Sequence, residues 1–293
     1  MSLGKIALGT VQFGLDYGVG NSDGQVTPSE VKAILDLASL NRIKTLDTAI
    51  LYGESESYLG DYGVNDWDII TKIPALPPNV KNVTEWVVKQ VQASLKRLNV
   101  SKVYGVMLHD ADQILGCNGQ AILGALHLLK SINLCDKVGL SIYNVARVKE
   151  YVSNNDIDLI QVPLNVFDRR VIDTDILKWL KIRHIEVHAR SIFLQGLLLI
   201  NKNRLPDSFS HSNDLFNEWY DWLDQENIDP VDACLKFALQ FEEIDRVVIG
   251  IQCISQLKKL IMLANNSGYT KFPEWKANIN SRLIDPSLWH PEN

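Results

Sequence analysis

The sequence predicts a closed α/β barrel of the (β/α)8 TIM-barrel class. Three observations carry that expectation. Short runs rich in Val, Ile and Leu alternate with helical patterns along the whole chain of 293 residues. Polar residues close successive runs, at Asp47, Lys72 and His109, and a parallel barrel gathers its chemistry at that end of its strands. The stretch Gly9-Thr10-Val11-Gln12-Phe13-Gly14 lacks the G-x-G-x-x-G spacing that an open, dinucleotide-binding sheet would show after its first strand.

The candidate strands are Lys5–Thr10, Thr45–Ala49, Asp68–Lys72, Val103–His109, Lys137–Ser141, Leu159–Pro163, Glu186–Ser191 and Val247–Ile251. Each is short and apolar, as strands covered on both faces are. Between them lie helices. Thr27 to Leu40 opens with Thr27-Pro28-Ser29-Glu30, a cap with proline in the first turn and a glutamate three residues on. Trp86 to Leu98 places Val87, Val91, Leu95 and Leu98 on one face, and Asp229 to Phe241 repeats the style after Pro230. Length alone fits one barrel as well as two smaller domains. No linker-like stretch divides the chain, so one domain over 1–293 is expected. An irregular region near 201–214 follows the seventh strand, where a long loop tends to be functional. A tail from about Tyr269, with Pro273, Trp275, Pro286, Trp289 and Pro291, is expected to wrap one end of the barrel.

Composition narrows the partners. A net charge of -6 without a basic stripe argues against nucleic acid. Cys117, Cys135, Cys234 and Cys253 are scattered with no C-x-x-C pair, which reads as reduced thiols and no zinc site. The apolar run Leu197–Ile200 is too short for a membrane span, and no secretory pattern opens the chain, so a cytoplasmic protein is expected. Composition carries no information on oligomeric state.

The chemistry concentrates in Asp47-Thr48-Ala49-Ile50-Leu51-Tyr52-Gly53-Glu54-Ser55-Glu56. A phenol titrates near 10, and a close ammonium is expected to lower that value. A carboxylate holds the ammonium, and a histidine at the same mouth hydrogen-bonds a substrate oxygen. Such a set polarises a carbonyl and protonates the alkoxide that forms when hydride arrives. Taken singly, each residue has a plainer role: Asp47 as a cap or ion-pair partner, Lys72 as a strand-end surface lysine, His109 as a loop histidine, Tyr52 as a packing residue. Four suitable groups on neighbouring strands and loops favour the chemical reading.

Asp47–Glu56 resembles the aldo-keto reductase signature D-T-A-x-x-Y-G-x-S-E. Thr71-Lys72 and Leu108-His109 fall where that family carries its lysine and histidine, and the resemblance runs from Leu8-Gly9-Thr10 to Val248-Ile249-Gly250. It implies a (β/α)8 barrel, a catalytic tetrad of Asp47, Tyr52, Lys72 and His109 with Tyr52 as general acid, and an extended nicotinamide cofactor. It favours NADP, with NAD as the alternative, and no metal. It further implies cofactor contacts from Ser141, from Gln161 to the carboxamide, from Arg190, from the pyrophosphate loop Ser191–Gly196, and from Gly250 and Gln256. Three departures stand out. Ile142 replaces an asparagine that contacts the carboxamide, with Asn144 nearby either to compensate or to cap the next helix. Arg190 replaces the aromatic that stacks on nicotinamide. Lys259-Leu260 replace a Glu-Asn pair, and no arginine marks a 2′-phosphate site. Trp219, Tyr220, Trp222 and Trp289 are candidate walls of an apolar substrate pocket, with at least half of such aromatics expected in the core, and Asn165, Asp168 and Arg169 are candidates for its polar contacts. The implied activity is reduction of a small aldehyde or ketone, or the reverse. The alternatives are a nucleotide-binding sensor or regulatory subunit with little turnover, and an epimerase or lyase that retains its cofactor.

Overall fold

In a computed structural model of the protein, eight parallel strands close into a barrel in sequence order, β1 pairing with β8. The structure describes residues 2–21, 23–153, 155–266, 270–275 and 279–289; Tyr269 and Pro291 of the expected tail lie outside them. The strands are β1 (Ile6–Gly9), β2 (Thr45–Asp47), β3 (Asp68–Ile73), β4 (Val103–Leu108), β5 (Cys135–Ser141), β6 (Leu159–Pro163), β7 (Glu186–Arg190) and β8 (Arg246–Gly250). Each overlaps its expected run. Five of them end a residue or two short of it, their last expected residues belonging to the loops above the barrel. The fold class is therefore the (β/α)8 barrel.

Local signals account for the helices. In Pro28–Leu40, Thr27 accepts a hydrogen bond from the Glu30 amide at 3.3 Å, and Val31, Ile34, Leu35 and Ala38 face the strands. The helix after β3 runs from Val83 to Leu98, starting one turn earlier than expected. Its start lies in Asn82-Val83-Thr84-Glu85, where Asn82 accepts from the Glu85 amide at 3.1 Å. Asp229 caps Pro230–Leu239 by accepting from the Val231 amide at 2.9 Å. The expected loop near 201–214 holds short 3-10 turns at Lys202–Arg204 and Asp207–Ser212, followed by the helix Asn213–Glu226. All four cysteines are free, and no helix among the described residues is long and apolar enough to cross a membrane.

The main core lies between the strands and the helices. Inside the barrel, Ile70, Met107 and Leu159 pack together with Tyr104. The period-two alternation of a strand sets what stands above them. Two residues further along β3, β4 and β6 come Lys72, His109 and Gln161, so an apolar floor supports a polar layer at the C-terminal mouth. At the opposite end Glu186 accepts hydrogen bonds from Tyr104 (2.6 Å) and Lys137 (2.5 Å) and meets the His188 ring at 2.7 Å, which plugs the barrel.

Several residues of the Asp47–Glu56 segment have structural duties. The Ser55 hydroxyl donates to Thr10 Oγ1 at 2.8 Å and lies 3.2 Å from Thr48 Oγ1, tying the helix Ser55–Tyr62 to β1 and β2. The buried Glu56 carboxylate accepts from Thr71 (2.6 Å), Ser94 (2.6 Å) and Arg97 Nε and Nη2 (2.9 and 2.6 Å). A buried carboxylate is tolerated when its lone pairs are matched in this way. The network grips β3 one residue before Lys72. Gly14 completes the turn, since a Cβ there would lie 1.7 Å from the Tyr52 carbonyl oxygen.

Candidate active site

Four side chains from β2, β3 and the loops after β2 and β4 meet at the C-terminal mouth. Lys72 Nζ lies 2.6 Å from Asp47 Oδ1 and donates to the Thr48 carbonyl at 3.0 Å. Lys72 and Asp47 are both buried. The same ammonium stands 5.2 Å from the centre of the Tyr52 ring. Tyr52 and His109 meet edge to face, with ring centres 5.9 Å apart. The four residues named from the sequence are thus one cluster.

The electrostatics differ from the sequence expectation in one respect. The phenol of Tyr52 is not lowered: burial, helped by Asp47 and Tyr143 and opposed by Arg190, holds it well above its ordinary value. Asp47 answers the charge of Lys72 at 2.6 Å and cancels most of the pull that the ammonium would exert on the phenol. The site therefore keeps its proton on Tyr52 at neutral pH.

His109 moves the other way. Burial lowers its imidazole to about 4, with Lys72 and Arg190 adding to the effect and Asp47 opposing it. The folded ring is neutral down to about that pH, whereas an unfolded histidine takes up a proton near 6.5. The unfolded chain then binds the extra proton between pH 6.5 and 4, so this contribution to stability is intact above 6.5 and is lost as the pH falls toward 4. For a ring that keeps some contact with water the loss is on the order of 2 kcal/mol. Denaturation midpoints at pH 7 and 4.5 check this: the drop should be smaller in His109→Asn, whose side chain does not titrate, than in the parent. An equal drop would mean that His109 does not drive it.

A groove of about 750 Å³ runs from this cluster across the barrel mouth. Its walls include Asp47, Tyr52, His109, Ser141, Gln161, Arg190, Ser191, Gly196, Gly250 and Gln256. Ser141, Gln161, Arg190, Ser191, Gly196, Gly250 and Gln256 all face it, Asn144 does not, and of the four central residues only Lys72 stands behind the wall. The groove passes the loop after β7, where Ser191, Leu194, Gln195 and Gly196 have left-handed backbone and the Leu194 and Gly196 amides donate to the Ser191 and Phe193 carbonyls, folding the loop onto itself. Gly20 donates to the Gln195 carbonyl at 3.3 Å, so the loop after β1 meets the loop after β7. A Cβ on Gly196 would lie 3.1 Å from the Gly20 backbone, a tight approach, and its φ of 88° strains any other residue there.

Three expectations change in detail. Gln161 was expected to hold a carboxamide, and its amide donates to Asp47 Oδ2 at 2.7 Å. Asn144 is exposed and makes no cap bond at Val145–Arg147, while Ile142 is fully buried. Arg190 is pinned in place: its guanidinium lies 4.2 Å over the Tyr143 ring and donates to the Ile142 carbonyl (3.0 Å) and to Ser191 Oγ (3.2 Å).

The proposed aromatic walls do not face the groove. Trp219 is fully buried, donates to the Leu198 carbonyl at 3.2 Å, and stacks on Trp222 in a cluster with Phe167 and Trp275. Tyr220 donates to the Ile200 carbonyl, and Trp289 packs on Phe209. Asn165 caps its own turn, Asp168 pairs with Arg170 at 2.7 Å, and Arg169 lies over Phe237 and Trp275. Large aromatics on a helix beside a closed barrel gain more from burial than from a wet mouth. Sequence reasoning missed Gln12, Tyr17, Tyr143 and Arg204, which line the groove. Gln12 and Tyr143 had a signal, being polar residues just past β1 and β5. Arg204 lies in the irregular region near 201–214 that the sequence marks as functional without naming a residue, and Tyr17 lies in a loop that carries no signal.

Comparison with known proteins agrees with this geometry. The aldo/keto reductase family profile matches residues 5–271. Among solved structures, an aldo-keto reductase from Bacillus halodurans in its holo form is similar at a TM-score of 0.74 and 19% identity, over 91% of this chain and 88% of the other. A Pseudomonas aeruginosa chain assigned to the aldo-keto reductases is similar at 0.66 and 21%, over 89% of each chain. No match was found among curated proteins. The chain belongs to the aldo/keto reductase family.

Proposed function

We propose that the protein reduces a small aldehyde or ketone to an alcohol, or runs the reverse reaction, with a nicotinamide dinucleotide in the groove. The observation that carries this reading is a buried, protonated phenol and a neutral histidine that open on one long groove, with an ion-paired lysine behind them. The residues present fit the cofactor. Ser141 Oγ is buried on the groove wall with no partner, which leaves a hydroxyl free for a polar group of the cofactor. A bound reduced nicotinamide supplies a hydride to the carbonyl carbon.

The chain's own residues do the rest. His109 Nδ1 is buried without a partner, so the neutral ring has hydrogen-bonding capacity to orient a substrate oxygen. Tyr52 transfers its proton to that oxygen as charge develops on it, and takes the proton back in the reverse direction. Lys72 stabilises the phenolate left behind, and Asp47 holds Lys72 in line. Gln161 fixes the second oxygen of Asp47, which keeps the carboxylate from rotating away. The resemblance favours NADP, with NAD as the alternative.

A panel of aldehydes and ketones of graded size and charge, incubated with reduced cofactor, tests the proposal. Cofactor oxidation that needs both the carbonyl and the enzyme is expected. Saturable cofactor binding with no oxidation by any panel member would instead favour a regulatory barrel.

A further inference from the structure

We infer that Arg190 holds a carboxylate carried by the carbonyl substrate, so that the preferred substrates are small oxo acids. The inference rests on the reductase reading above and adds the substrate class to it. Arg190 ends β7 and lines the same groove as Tyr52 and His109. Burial dominates the titration of Tyr52, His109 and Tyr17, but the charge of Arg190 acts on all three, so they lie within its electrostatic reach.

The charge balance at this end of the groove leaves one cation over. Lys72 is answered by Asp47 at 2.6 Å, Tyr52 keeps its proton, and His109 is neutral. Arg190 has no such answer. Among the described residues no carboxylate pairs with it, and its hydrogen bonds go to uncharged oxygens, the Ile142 carbonyl and Ser191 Oγ. Lys259, another cation on the groove wall, is by contrast tied to Asp229 at 2.8 Å. A guanidinium has more donors than these two bonds use, and its Nε is buried with no partner. A half-buried cation with spare donors and no counter-charge favours an anion beside it.

Arg190 is also fixed before any ligand arrives. Its guanidinium carbon lies 4.2 Å from the centre of the Tyr143 ring, and the two hydrogen bonds hold its terminal nitrogens. A fork held in this way binds a planar carboxylate with little further loss of freedom. One of its faces is already covered by Tyr143. What the arginine adds over the aromatic that the resemblance expects here is charge and donors, which a carboxylate uses and a stacked ring does not. Tyr17 and Tyr143, 39% and 40% exposed, line the groove near it and offer apolar faces to the substrate's carbon skeleton.

Glyoxylate, succinic semialdehyde and para-carboxybenzaldehyde, each compared with its methyl ester, change the charge and keep the carbonyl. In the parent, kcat/KM for at least one acid should exceed that of its ester by about 10- to 10²-fold, the range that a charge-assisted hydrogen-bonded pair supplies. In Arg190→Met that ratio should fall to within about threefold of one, whatever the absolute rates, and Arg190→Lys, which keeps the charge without the fork, should retain part of it. Fluorescence titration of both variants with reduced cofactor separates a substrate carboxylate from a cofactor phosphate as the source of the anion. A parent that reduces acids and esters alike overturns the inference and leaves the reductase reading standing, and that measurement needs no variant to fold. An unchanged ratio in Arg190→Met, with cofactor affinity lost instead, also overturns it and assigns the arginine to a phosphate. Cofactor oxidation by no member of any pair overturns both readings.

Discussion

Tyr52→Phe should leave cofactor affinity within about twofold of the parent and lower carbonyl turnover by roughly 10²- to 10⁴-fold, the range that a positioned general acid supplies. The substitution removes one hydroxyl and no packing volume. The ring keeps its edge contact with His109 and its place 5.2 Å from Lys72 Nζ. The loss should appear in kcat and kcat/KM together, because the proton moves only in the transition state. The electrostatics sharpen the expectation. A phenol held above its ordinary value is a reluctant acid toward bulk water, so the proton stays until an alkoxide of higher basicity forms beside it. Single-turnover oxidation of bound reduced cofactor, mixed with excess carbonyl, gives the cleanest reading. Turnover within tenfold of the parent would mean that another group, or water, delivers the proton.

The barrel was legible because its signals are local and repeated. Eight short apolar runs with capped helices between them admit few topologies, and chirality and sequential pairing fix the rest. The clustering of Asp47, Tyr52, Lys72 and His109 was legible for a related reason: Asp47, Lys72 and His109 sit at or just past strand ends, which the closure of the barrel brings together. What escaped were properties of pairs and surroundings. The effect of Lys72 on Tyr52 depends on Asp47 at 2.6 Å, a distance that no spacing reveals. Trp219 and Trp222 read as pocket walls by residue type, but the face on which they pack is decided by the tail residues Phe272 and Trp275. Glu30 read as the ordinary third residue of a capping box, while its carboxylate reaches the start of a helix 224 residues away.

Lys72→Met should both unfold more easily and stop working, and the two losses have separate causes. The lysine is almost fully buried, and its ammonium meets Asp47 and the Thr48 carbonyl. Methionine fills most of the same volume, so little of the cost is cavity. The cost is electrostatic: Asp47 keeps the Gln161 amide at 2.7 Å but loses its counter-charge in a dry site. Breaking a buried pair from one side typically costs about 3–5 kcal/mol, and a comparable drop in unfolding free energy is expected here. Removing both charges in Lys72→Met/Asp47→Leu should restore much of that stability, since a matched apolar pair is often as stable as the ions it replaces. It should not restore turnover, because nothing then stabilises the Tyr52 phenolate. Denaturant unfolding of the two single variants and the double variant, with carbonyl reduction measured on each, separates these effects. Recovery of activity along with stability would show that Lys72 and Asp47 serve the fold alone. Stability restored while activity stays lost would show that the pair is kept at a thermodynamic cost for its effect on Tyr52.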